Sequence, residues 1–208
     1  FAVSFLHIKY CQMFSPFIPM TFFSLLSILF ALKAHSNKNE SLKFYFISMV
    51  FASLSASMHY IGLLSILPLL MVMFLSEDIE KIKTHLFYFL ILFLALNPYS
   101  IFSCVSFIGT GLNQYLSNYS TYHYSSFINF LFGFLLQGVG PVIYFTALFS
   151  LKYKKTYDEN SLKLLFVLPL FYIGILGLMH ITEIPYAVLI VPFICLASAM
   201  FFESFVNE

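Results

Sequence analysis

Apolar runs of near-helical length alternate with short polar breaks along the whole chain, and the breaks define the predicted elements. A membrane-crossing helix needs about 20 mostly apolar residues. Residues 16–32 form the first complete run of that kind, closed by the polar stretch 33–43 that holds Lys33, Lys38, Glu40 and Lys43. Residues 44–76 are almost uncharged and too long for one ordinary span, so they predict two short helices turning near 57–62. Charge returns at 77–83, and 86–96 then leads into Asn97-Pro98-Tyr99, where proline breaks or kinks the helix. Residues 127–149, 164–179 and 186–202 read as further spans, the last two forming a hairpin around 180–185. The expected fold is all-α, a polytopic transmembrane helix bundle of about seven spans, with 1–208 as a single transmembrane domain. No long-period repeat or linker suggests a second domain.

Composition supports the pattern. Only 9% of the 208 residues are charged and 61% are hydrophobic, against about 25% charged in a typical soluble domain. So few polar side chains do not cover the surface of a soluble chain of this size, and lipid is the expected solvent. Every basic residue is Lys and none is Arg, which excludes a strong nucleic-acid surface and removes the bidentate phosphate clamp. Cys11, Cys104 and Cys195 are isolated and lie in or beside apolar stretches, so they read as small buried hydrophobes with no redox or metal role. His7, His35, His85 and His123 form no spaced ligand set, and no metal or cofactor is expected.

Topology follows from the lysines. With spans alternating, the stretches at 33–43, 77–83 and 152–163 share one side and hold every lysine except Lys9. Under the positive-inside rule that side is cytoplasmic. Lys154 and Lys155 there are placed to touch anionic lipid heads. The turn at His59, the 97–126 region and the 180–185 turn then face outward, with Glu183 their only acid. Residues 106–126 carry no charge but are rich in Tyr, Ser, Asn, Thr and Gly, which reads as an interfacial loop or a surface-lying helix. The chain opens at Phe1, and 1–6 already reads as the end of an apolar segment, so the expectation is a fragment or processed form.

Three segments, in order, carry a family resemblance. Residues 49–70 combine a small-residue helix (Ala52, Ser53, Ser55, Ala56) with the pair His59-Tyr60 and an apolar run to Pro68. Leu94-Ala-Leu-Asn-Pro-Tyr99 closes a span before an outer loop, and Ile184-Pro-Tyr-Ala-Val-Leu-Ile-Val-Pro-Phe193 opens a late helix. Together they resemble the later membrane half of the polytopic lipid-linked-sugar glycosyltransferases of the protein O-mannosyltransferase and aminoarabinose transferase type. His59 stands where that family often has Lys, and Pro185 where it has Arg. The resemblance implies a GT-C-like fold in the cell membrane, as in a bacterial inner membrane. It also implies a polyprenyl-phosphate sugar donor used on the outer face and a glycan, lipid or protein acceptor. The family's catalytic base is an Asp in its first outer loop, which would precede Phe1, so no residue of this chain takes that role and the catalytic residue is unknown.

Glycosyl transfer needs a base for the acceptor and stabilisation of the departing phosphate, and the outer-face polar groups are the candidates. His59 and Tyr60 sit at a predicted outer turn suited to a phosphate or sugar hydroxyl, or simply to capping that turn. Asn97 and Tyr99 are placed to hydrogen-bond substrate, although Asn-Pro-Tyr also ends a helix by itself. Tyr122 lies in the tyrosine cluster 115–124, a candidate sugar-binding or gating loop or an ordinary interfacial belt. His180 and Glu183 make a possible base or acceptor-orienting pair, against the plainer reading of a solvated turn. An envelope polysaccharide polymerase is an alternative, disfavoured by the absence of outer-loop Arg. A transporter or flippase component is another, and it predicts polar groups at mid-membrane depth. Apart from Gln137, between Gly133 and Gly138, the spans are expected to hold almost none.

Overall fold

A computed structural model describes residues 15–37, 40–75, 79–98, 132–133, 135–150, 159–178 and 184–206. Every regular element among them is helical: α1 (Phe17–Ser36), α2 (Ser41–Met58), α3 (Leu67–Leu75), α4 (Ile79–Leu96), α5 (Pro141–Ser150), α6 (Glu159–Leu178) and α7 (Val191–Val206). Short 3-10 segments, Tyr60–Ile66 and Ile184–Leu189, lead into α3 and α7, and a single turn, Leu136–Val139, precedes α5. Two of these helices, α1 and α2, are long and apolar enough to cross a membrane.

Local chemistry sets the ends. Pro16 opens α1, where its missing N–H costs nothing, and its carbonyl accepts the first helical bond from Met20 N at 3.1 Å. Lys33 and His35 lie in the last turn of α1, where cations complement the helix dipole. The helix runs to Ser36, further than the polar stretch from Lys33 predicts, and Asn37 N closes it on Lys33 O at 2.9 Å. The turn expected near 57–62 is present: α2 ends at Met58 and the chain reverses at His59. Asn97 N bonds Phe93 O at 2.9 Å, and α4 stops at Leu96 just ahead of Pro98.

The expected continuous span at 127–149 is broken. Gly140 adopts φ 94°, a left-handed conformation that other residues rarely take, and it separates the Leu136–Val139 turn from α5. The rings of Phe132 and Tyr144 approach to 6.5 Å, although twelve residues of straight helix would rise about 18 Å. The chain therefore bends sharply at Gly140-Pro141, and α5 is left with ten residues.

α1 and α2 pack against each other more extensively than any other pair, followed by α5 with α7. A small cluster joins Ile28, Leu168 and Phe193, and two larger ones gather mainly toward opposite ends. One joins Met20 at the start of α1, Ile61, Val139 and Tyr144, Tyr172 and Leu176 late in α6, and Ala187 to Val191. The other joins Ala31 and Ala34 late in α1, Tyr45 and Met49 early in α2, Val72 and Met73 late in α3, and Leu164 early in α6. Along α1, α2, the Tyr60–Ile66 segment with α3, and α6, the chain thus runs back and forth between these two clusters. The interior is mainly apolar but includes Ser24, Ser27, Ser48, Ser53, Ser55 and Ser65, and large apolar side chains such as Phe22, Phe46, Phe74, Phe87, Val142 and Leu170 lie outside.

Candidate functional site

His59 is the best-defined of the sequence-predicted residues. It is extended at φ −160° and ψ 143°, and it reverses the chain with three bonds. Its N donates to Ser55 O at 3.4 Å, its carbonyl accepts from Gly62 N at 2.8 Å, and its Nδ1 accepts from Ile61 N at 3.3 Å. The ring lies 4.7 Å from that of Phe17, at 38°. Burial pushes the imidazole below its usual value. An Nδ1 that accepts a hydrogen bond carries no proton, so the ring is neutral with its proton on Nε2.

Tyr60, described by its backbone, opens the 3-10 segment beside His59. Asn97 ends α4, which packs on α2 and α3, and among the described residues no part of α4 joins the cluster around Ile61. The structure therefore gathers the His59 turn and Ala187 to Val191 in one cluster, while Asn97 follows α4, which lies along α2 with Ser53 Oγ 3.5 Å from Phe89 O. Tyr99, Tyr122, His180 and Glu183 lie outside the described residues.

What the sequence reading missed is a hydroxyl network at the centre of α1, α2 and the first 3-10 segment. Ser24, Ser55 and Ser65 form a triangle with Oγ–Oγ separations of 2.8 Å (Ser24 to Ser55), 2.6 Å (Ser24 to Ser65) and 2.9 Å (Ser55 to Ser65). Ser24 and Ser55 also reach Met20 O, at 2.8 and 3.0 Å. Each hydroxyl has one proton, so at most three of these five contacts are hydrogen bonds at any moment, selected by the rotation of the hydroxyls. Ser27 donates to Ser65 O at 3.0 Å and Ser48 to Ser27 O at 2.8 Å, which extends the network along α1. A second link, Thr146 Oγ1 to Ser198 Oγ at 2.6 Å, joins α5 to α7.

The expectation that the spans hold almost no internal polar groups is therefore wrong. Hydropathy windows average serine away, whereas its spacing carries the signal. The buried face of α1 is Met20, Thr21, Ser24, Ser27, Ile28, Ala31 and Ala34, and that of α2 is Tyr45, Ser48, Met49, Ala52, Ser53, Ser55 and Ala56. Small residues three and four apart on facing helices are the pattern for close packing in lipid. Gly62 takes this furthest, lying so near α2 that a Cβ there would strike the Ser55 carbonyl. Chemically the triangle binds helices together, since a serine nucleophile requires a neighbouring base and these contacts are hydroxyl and carbonyl throughout. Among the described residues no three His, Cys, Asp or Glu side chains come together to hold a metal ion.

Compared with protein families, curated proteins and solved structures, the chain matches none.

Proposed function

We propose that this chain is the membrane part of a multi-pass glycosyltransferase. It takes a sugar from a polyprenyl-phosphate donor on the extracytoplasmic face of a cell membrane, such as a bacterial inner membrane, and passes it to an envelope glycan, lipid or protein. The observation that carries the reading is a juxtaposition. Two of the three segments that resemble that family, around Ile61 and around Ala187 to Val191, are distant in sequence yet meet with the start of α1 in one cluster. That cluster lies at the end away from Lys33, Lys43, Lys83 and Lys163, which open or close their helices at the other end.

Membrane insertion beyond α1 and α2 is supported by lengths and by the large apolar side chains on the outside. A 3-10 helix rises about 2 Å per residue, so Tyr60–Ile66 followed by Leu67–Leu75 reaches about 27 Å, close to the ~30 Å hydrocarbon core. α4, α6 and the Ile184–Leu189 segment with α7 reach comparable or greater lengths. Counting α5 with its preceding turn as a further, bent passage gives about seven.

In the proposed reaction an acceptor hydroxyl attacks the anomeric carbon, the bond to the lipid phosphate breaks with inversion, and a base takes the acceptor proton. The neutral His59 ring carries its proton on Nε2, which suits donation to a phosphate oxygen of the donor, with Tyr60 beside it. The resemblance leaves the base itself unassigned. The test is sugar transfer by the full protein in proteoliposomes supplied with polyprenyl-phosphate sugars. Transfer that falls at least tenfold in His59→Ala supports the reading, and absence of turnover with every such donor contradicts it.

A second reading, a transporter or flippase component, is favoured by the helix broken at Gly140 together with the buried hydroxyls, since discontinuous helices with internal polar groups line transport sites. It predicts flux of lipid-linked sugar or ion across vesicles that contain the purified protein.

A further inference from the structure

We infer that the His59 turn is a proton-released latch, which holds the first 3-10 segment against α2 while the imidazole is neutral and lets it go on protonation. The latch rests on the geometry of the turn and not on sugar transfer. Three hydrogen bonds of the reversal pass through His59, and one, from Ile61 N to Nδ1 at 3.3 Å, exists only while Nδ1 has a lone pair. Protonation turns that acceptor into a donor facing another donor, so the Ile61 amide must seek water. The same segment carries Gly62, seated against the Ser55 carbonyl, and Ser65, which closes the hydroxyl triangle with Ser24 and Ser55. A loosened turn therefore loosens the contact at the centre of α1 and α2.

The surroundings decide the sign. α1 contributes Phe17 at 4.7 Å, whose ring face favours a cation, while burial disfavours one and prevails. The other titratable groups of α1 and α2, Lys33, His35, Lys43 and Tyr45, belong to the far end of those helices. On the remaining elements packed here, Tyr144 and Tyr172 share the cluster with Ile61, Tyr60 and Tyr186 stand on the two 3-10 segments, and Glu159 and Lys163 lie in the first turns of α6 at the far end. Because the folded-state value lies below the ordinary histidine value, the latch is intact above that ordinary value. It is lost as pH falls through the depressed one.

The experiment uses the whole chain in lipid nanodiscs at pH 8 and pH 5. Exchange of the Ile61 and Gly62 amides is read with correction for intrinsic rates, alongside nitrogen spectra of labelled histidine. In the native protein, protection at these amides is expected to fall about tenfold at the lower pH, the weight of one lost hydrogen bond. His59→Asn supplies a side-chain carbonyl acceptor that does not titrate, and its protection is expected to stay constant. Native protein with unchanged protection, or His59→Asn that responds as the native protein does, overturns the inference. So does a His59 Nδ1 that bears a proton at pH 8, a reading that needs no variant to fold.

Discussion

Gly62→Ala is the sharpest perturbation of the α1–α2 core. An added Cβ would lie 2.5 Å from the Ser55 carbonyl carbon and 2.8 Å from Ala56 N, and closer still to the Ser55 oxygen. All three are backbone atoms of α2, so no side chain can swing aside, and the 3-10 segment must retreat by about 1 Å to reach ordinary contact. Overpacking of this kind costs about 1–3 kcal/mol. The retreat also stretches the Ser65 hydroxyl from Ser24 and Ser55, and the Ser65 carbonyl from Ser27. At roughly 0.6 kcal/mol for each interhelical bond in a membrane, that adds about 1–2 kcal/mol. The expected loss is about 2–5 kcal/mol in reversible unfolding by detergent titration. Gly174→Ala in α6 is the control: nothing lies within 4 Å of its Cβ, so it should be neutral or up to ~1 kcal/mol more stable. If Gly62→Ala unfolds within ~0.5 kcal/mol of that control, the close approach of the segment to α2 is wrong.

Three further outcomes follow from the same contacts. Ser24→Ala and Ser65→Ala should each cost about 0.5–1.5 kcal/mol, and the double variant less than their sum, because each removes the hydrogen bond between them; strict additivity in a double-mutant cycle would contradict the triangle. Gly140→Ala should destabilise by about 1–2 kcal/mol despite open space at its Cβ, since the penalty is for φ 94° and not for crowding; a neutral result in the same titration would mean the bend is absent. Leu29→Lys, at a position 44% exposed on α1, would be nearly silent on a water-facing surface. In lipid it should oppose insertion by about 2.5–3.5 kcal/mol, read as a drop in the membrane-integrated fraction.

The sequence shows the helix ends where chain chemistry is local. Pro98 after α4, Lys33 in the last turn of α1 and His59 at the reversal are each a single residue that stops a helix or anchors its end, visible without knowing its neighbours. The interior is another matter, because its information lies in pairs of helices. Ser24, Ser55 and Ser65 are ordinary residues in three separate apolar stretches, and only packing makes them one network. Gly140 could have been read: a glycine before proline marks a turn even inside an apolar run, but the hydropathy of 127–149 outweighed it. Of the candidate site, the His59 turn was legible as a turn. Its Nδ1 acceptor and its Phe17 neighbour depend on the fold. Asn97, read as a substrate contact, follows α4, whose packing along α2 is likewise a property of the fold.

The central claim is that the two ends of α2 lie on opposite sides of a membrane, with the lysine-bearing end inside. It is tested most directly by labelling single cysteines in intact cells, after replacement of Cys11, Cys104 and Cys195. Met58→Cys, at the His59 end, should react with an impermeant maleimide from outside, and Glu40→Cys only after the membrane is opened. Equal reaction at both positions in intact cells, or the reverse order, would contradict the account.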